Sequence, residues 1–169
     1  MIIRSVILLL GLLTAAGGAR AEVIETSPTH YVLRHEAAST RSPEALWQRL
    51  VQPATWWHPD HTYSGDAANL SLDLRAGGLW LEEWAGGSVA HGEVLLVQTG
   101  EMLRMAAPFG PLQGVGAYTV WTITIAAADR GSIVVFDEIS TGPASANLAE
   151  LAGAVDYVKT EAISRLVAE

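Results

Sequence analysis

The hydrophobic pattern changes period along this chain, and the changes mark out its elements. In "THYVLRHEAA" (Thr29 to Ala38) side chains alternate as on a strand, with Tyr31 and Leu33 on the face opposite Val32 and Arg34. "SPEALWQRLV" switches to helical spacing through Ala45, Leu46, Arg49 and Leu50. Ser42 stands there as N-cap and Pro43 at the first helical position. A second short helical turn covers Pro53 to Trp57. From Leu70 the period is two again, through "NLSLDL", "LWLEEW", "VAHGEVLLVQ", "EMLRMA", "AYTVWTITIA" and "SIVVFDEIS". Gly77-Gly78, Gly86-Gly87, Thr99-Gly100, Pro108 to Gly110 and Asp129-Arg130-Gly131 separate these at hairpin distance. After Pro143 a long helix closes the chain. Leu148, Leu151, Val155, Val158, Ala162 and Leu166 follow one face, and Glu150, Lys159 and Arg165 fall largely on the other.

The expected fold class is α+β: a curved antiparallel seven-stranded sheet wrapped around a long C-terminal helix, with two short helices after the first strand. Such a sheet cannot bury its concave face against itself, so the helix has to cover it. The hollow between the two is the natural place for a ligand.

Residues 1–21 stand apart. Arg4 precedes an apolar run, Val6 to Ala16, and Ala19-Arg20-Ala21 supplies the small-x-small cleavage pattern of a secretory signal peptide. The run is shorter than the roughly 20 residues that span a bilayer, so no stable membrane insertion is expected after cleavage. The expected mature domain is 22–169, periplasmic or secreted. N-terminal sequencing of protein from the native host should begin at Glu22, and full-length chain recovered from membranes would overturn that expectation. Cleavage removes Arg4 and Arg20 and no acid, which takes the net charge from −8 to −10. An acidic chain lacks the clustered Lys and Arg that phosphate backbones require, so nucleic acid is excluded as a partner. Without Cys there are no disulfides, no thiol chemistry and no lipid attachment through Cys.

The stretches "ALWQRLVQPATWW", "HTYSGDAANLSLDLRAGG", "AHGEVLLVQTGEMLRM", "FGPLQGVG" and "LAELAGAVDYV" together resemble the START-like (SRPBCC, helix-grip) superfamily. The branches they look most like are the polyketide cyclase/dehydrase and the chaperone-ATPase-activator-like proteins. The likeness runs from about Thr29 to Glu169, and "HTYSGDAANLSLD" with "GPLQG" is similar to a set of exported bacterial members. It implies the helix-grip fold. That scaffold hosts lipid carriers, hormone receptors, cyclases and chaperone regulators, so function has to be read from the site. Chaperone-ATPase activation is cytoplasmic, which makes that branch a relative in fold only for a chain with an export signal.

"WWHPDHTYSGD", Trp56 to Asp66, packs two Trp, two His and two Asp into one stretch. Pro59 and the tight spacing crowd His58, Asp60 and His61 into a loop, with His91 the nearest plausible third histidine. No recognised ligand spacing is present, so neither a metal nor a cofactor is expected, and the stretch reads as the aromatic lip of a pocket. Trp80, Glu82 and Trp84 share one face of their strand, and Val89, His91, Glu93 and Leu95 share one face of the next, with the register between them open. An acid–base centre would need two of His61, Tyr63, Glu82, His91, Glu93 and Asp137 facing inward as a His–carboxylate pair; no catalytic residue is assigned. Ser64 lies outside any G-x-S-x-G elbow, and "GPLQGVG", without a P-loop lysine, reads as a bent loop over the pocket mouth.

Six Trp is a surplus for a domain of this size. Trp80, Trp84, Trp121 and Tyr118 lie on strands, where they could line a cavity, and Met102 and Met105 could add adaptable apolar lining. The residues expected at the ligand are Trp57, His61, Tyr63, Trp80, Glu82, Trp84, His91, Met105, Trp121 and Val155. The expected function is binding of a small hydrophobic or aromatic molecule, lipid- or polyketide-like. Two alternatives stand beside it: a cyclase or dehydratase-type enzyme on a similar substrate, and an envelope protein-interaction module, which would show a flat exposed apolar patch.

Overall fold

The computed structural model describes residues 20–169, so all but the last two residues of the expected 1–21 signal segment lie outside the described residues. One antiparallel sheet holds β1 (Arg20–Ser27), β2 (His30–Ser39), β3 (Leu70–Leu72), β4 (Leu79–Trp84), β5 (Gly87–Gln98), β6 (Met102–Ala106), β7 (Tyr118–Ala127) and β8 (Ser132–Thr141). Their spatial order is β1-β2-β8-β7-β6-β5-β4-β3. The last six strands form a meander, and β2 pairs with β8 through ten consecutive partners, from His30 opposite Thr141 to Ser39 opposite Ser132. The helices are α1 (Pro43–Leu50), a single turn α2 (Pro111–Gly114) and α3 (Leu148–Val167). The long helix α3 packs across β1, β2 and β8 and touches α1. Among the described residues no helix is long and apolar enough to cross a membrane.

The pattern predicts seven strands and the sheet has eight. The addition is β1, whose residues are exposed almost throughout, so no apolar alternation marks it. Backbone pairing to the edge of β2 holds it in place, from Arg20 opposite Glu36 to Ser27 opposite His30. Cleavage after Ala21 would trim its first two residues.

Alternation governs the central strands. Tyr31, Leu33, His35 and Ala37 of β2 are buried, as are Val134, Phe136 and Glu138 of β8, Trp121 and Ile123 of β7, and Leu103 and Met105 of β6. Glycine is required where β7 turns into β8. Gly131 has φ +83°, and a Cβ there would collide with the Ser39 carbonyl. Helix α1 begins as expected, Ser42 Oγ accepting from the Ala45 amide at 3.3 Å, and buries Leu46, Trp47 and Leu50.

Helix α3 departs from the expectation across its apolar face: Leu148, Ala162 and Leu166 are buried as expected, whereas Leu151, Val155 and Val158 are only half-buried. Its buried stripe is Leu148, Ala152, Lys159, Ala162, Ile163 and Leu166. Lys159, grouped with the polar side for its charge, is inside. It falls seven residues after Ala152 and three before Ala162, on the same stripe, and the Glu138 carboxylate meets it there at 2.8 Å.

Candidate functional site

A cavity of about 370 Å³ opens between α3, the Trp57–Tyr63 stretch and the loop from Phe109 to Leu112. Each wall is fixed by a local device. Trp57 Nε1 donates to the His61 carbonyl at 3.0 Å, which folds the loop back over its own ring. Gln113 Nε2 donates to the Ala90 carbonyl at 2.7 Å and pins the Phe109 loop against β5. The helix contributes Leu151, Ala154, Val155 and Val158, small or branched side chains that leave the space open.

Two buried polar pairs reach the cavity wall. The first is His91–Glu82. Opposite β4 the ladder steps from Gly92 (facing Trp80) to Ala90 (facing Leu81), so His91 is the extra residue of a β-bulge. The bulge turns its ring inward, a device common beside functional sites. It also breaks the expected alternation: Glu93 and Leu95 point outward, while His91 and Val94 are buried. His91 Nε2 lies 2.8 Å from Glu82 Oε2, and the ring stacks on Phe109 with centroids 5.2 Å apart. Glu82 also accepts from the Ser64 amide at 2.6 Å and the Tyr63 amide at 3.0 Å. That is the structural reason for "TYSGD": its backbone amides turn in to satisfy a buried carboxylate. Burial alone would raise the Glu82 carboxyl, but the Ser64 and Tyr63 groups and the His91 ring outweigh it and hold it below the usual range. Burial pushes the His91 imidazole below its ordinary value, against the opposing pull of Glu82. His91 is therefore neutral at pH 7, and its Nδ1 finds no hydrogen-bond partner among the described residues.

The second pair is Lys159–Glu138. Glu138 Oε1 accepts from the Tyr31 hydroxyl at 2.6 Å, and its Oε2 lies 2.8 Å from Lys159 Nζ. That contact is ionic and lies off the hydrogen-bond direction, so the ammonium makes no directed hydrogen bond. Its charge sits 3.2 Å above the Trp121 ring and 4.7 Å from the Phe109 ring, within cation–π range. Burial lowers the lysine below its ordinary value while Glu138 pulls it back up. Burial and the neighbouring Glu138 carboxylate raise the Tyr31 hydroxyl far above its ordinary range.

Of the ten residues expected at the ligand, Trp57, His61, Tyr63, His91 and Val155 line the cavity. Trp80, Met105 and Trp121 are fully buried beneath it, in a cluster where Trp57 and Trp80 meet edge to face at 5.4 Å and Trp80 and Trp121 lie 5.9 Å apart. Those rings are floor, not lining. Glu82 stands behind His91 and reaches the cavity only through it. Trp84 is elsewhere, folded over Gly87 at the β4–β5 turn. Tyr118 points to solvent. Pattern reading missed Phe109, Glu138 and Lys159, although inward alternation from Val134 and Phe136 places Glu138 on the buried face.

No protein-family model matches the chain, and no curated protein matches it. Solved structures do. A Rhodobacter sphaeroides protein is 18% identical over 88% of this chain and 96% of its own, with a TM-score of 0.57. A conserved protein of unknown function from Enterococcus faecalis is 12% identical over 88% of this chain and 74% of its own, at 0.57. A Mycobacterium smegmatis protein is 19% identical over 80% and 87%, at 0.55. At these identities the likeness shows the fold alone.

Proposed function

We propose that the protein binds a small apolar or aromatic molecule, lipid- or polyketide-like, in the cavity between sheet and helix. One observation carries the reading. A hollow of about 370 Å³ has apolar walls in Trp57, Phe109, Leu112, Val155 and Val158, with ionisable groups at Asp60, His61, Tyr63, His91, Glu138 and Lys159. That combination suits an apolar body with one polar substituent turned toward Lys159 and Glu138. The START-like resemblance belongs to the same proposal, since an antiparallel sheet gripping a long C-terminal helix is the architecture it implies.

Titration with apolar dyes and flavonoid-like compounds should quench tryptophan fluorescence saturably, with Kd on the order of micromolar, and should raise the melting temperature, because a ligand of the folded state alone adds RT ln(1 + [L]/Kd). Val155→Trp fills the hollow from the half-buried side of α3 and should abolish quenching while the protein still folds. Absence of saturable quenching across a broad apolar library removes the proposal.

A second reading is favoured by His91–Glu82. An imidazole oriented by a carboxylate, in a residue that lines the cavity and with an unpartnered though buried Nδ1, has the makings of a general base once Phe109 moves aside. Under this reading the protein is a cyclase or dehydratase-type enzyme. Chemical change of a bound compound, lost in His91→Gln with binding retained, is the outcome that moves the assignment from carrier to enzyme.

A further inference from the structure

We propose that His58, His61 and Glu161 form a binding site for a divalent transition metal ion of the zinc class at the mouth of the cavity. The sequence expectation of no metal rested on the absence of a recognised ligand spacing around His58, Asp60 and His61. The fold supplies a different donor, Glu161, from one hundred residues away on α3. One ligating atom from each of the three lies within 4.8 Å of the others.

The placement follows from local structure. Pro59–His61 is a 3₁₀ turn with His58 as its N-cap. Residues three apart eclipse in that geometry, which sets the two imidazoles side by side with centroids 5.4 Å apart. The facing turn of α3 is held by Arg165 Nε, which donates to the Trp56 carbonyl at 2.8 Å. Glu161 then spans both rings, Oε2 lying 2.8 Å from His61 Nε2 and Oε1 3.4 Å from His58 Nε2. Zinc bonds to N and O are about 2.0–2.2 Å, so tetrahedral donor pairs stand roughly 3.3 Å apart. The two N···O distances bracket that spacing, each to a different Glu161 oxygen, so a turn of the carboxylate brings one oxygen into place for both rings.

Both imidazoles have to present an unprotonated Nε2 to the ion, so the proton that His61 Nε2 shares with Glu161 moves to His61 Nδ1 or to solvent. His58 Nδ1 now accepts from the Asp60 amide at 3.1 Å, so Nε2 carries the proton. Ligation through Nε2 moves that proton to Nδ1, and the exposed Asp60 carboxylate, 3.9 Å away, has to close by about an ångström to accept from it. The amide thus released is exposed and can turn to water. Asp60 is a positioning residue in this scheme, of the carboxylate–histidine–metal kind. Three protein donors leave a fourth position for water or a ligand atom, and His61 is shared between the triad and the cavity wall.

The test does not depend on the cavity ligand. Untagged protein, stripped with chelator, is titrated with zinc by calorimetry and with cobalt by visible absorption. One equivalent per chain should bind, with the intense d–d bands of low-coordinate cobalt. His61→Ala and Glu161→Gln should each weaken binding at least tenfold, and Asp60→Asn by about tenfold. All three positions are partly exposed rim sites, and circular dichroism checks that each variant folds. Failure of wild-type protein to saturate at one equivalent overturns the proposal, as does undiminished zinc binding in Glu161→Gln. If Glu161→Gln lowers the melting temperature while zinc shifts neither protein's, the cluster is only an ion pair between loop and helix, and the proposal is wrong.

Discussion

Glu138→Leu is expected to cost the folded protein about 3–5 kcal/mol, the range for removing one partner of a buried ion pair. The carboxylate is fully buried on β8 and serves two groups, the Tyr31 hydroxyl and the Lys159 ammonium. Leucine leaves the hydroxyl without an acceptor and the lysine without the charge that offsets its desolvation. Lys159→Met should cost a similar amount, because it strands the carboxylate instead. The double variant should recover most of the loss, since replacing a whole buried ion pair by apolar side chains of similar size is often close to neutral. Denaturant unfolding at constant m-value reads all three. A single-variant loss below about 1 kcal/mol, or a double variant as unstable as the sum of the singles, would show that the pair does not act as a unit.

Acid should destabilise the protein in two stages. His35 and His91 are buried, and burial holds both imidazoles below the ordinary 6.5 despite Asp156 and Glu82 beside them. Above pH 6.5 the rings are neutral folded or unfolded, and neither contributes a slope. Below it the unfolded chain takes up protons that the folded one refuses, so stability falls as pH falls. The slope is at most about 1.4 kcal/mol per pH unit for each ring. Glu82 adds a second stage. Its carboxyl is held below 4.5 in the fold, so further stability is lost as pH drops through that value and the unfolded carboxyl protonates first. Unfolding free energies measured from pH 8 to 4 should show the first decline halved in His91→Gln and again reduced in the double variant with His35→Gln. A flat profile between pH 7 and 5 would mean the rings take up their protons in the folded state.

The pattern of apolar positions carried the sheet and the terminal helix because burial there is collective: six strands of alternation and a twenty-residue helix outweigh any one side chain. It failed where a single group defies its class. Lys159 went to the polar face because lysine is almost never buried unpaired. Its partner Glu138 lay twenty-one residues earlier on a strand whose register with the helix no local pattern contains. β1 escaped because an edge strand is held by backbone pairing, which leaves no mark on side-chain polarity. The bulge at His91 illustrates a third limit. Alternation tied His91 to Glu93 and Leu95, and one extra residue in the ladder reversed that parity. Two of the residues expected at the ligand lie off the cavity lining for a related reason: Trp80 and Trp121 do face inward, but facing inward does not distinguish the core beneath a cavity from its wall.

The helix α3 is apolar around much of its circumference, with Ala149, Ala154 and Tyr157 outside the buried stripe, so hydrophobicity alone selects its rotation weakly. Rotation is set by polar ties spread from its middle over its second half. Asp156 is tied to His35 at 2.9 Å, Lys159 to Glu138, Glu161 to His61, Arg165 to the Trp56 carbonyl, and the Val167 and Ala168 carbonyls to Arg41. A helix free to roll would drop Leu151 and Val155 inward and close the hollow to gain contact area. Held from its middle to its C-terminal end, it behaves as a braced beam, and the cavity beneath it persists because the supports prevent collapse. Emptiness in this protein is a mechanical property, maintained by the charged residues around it.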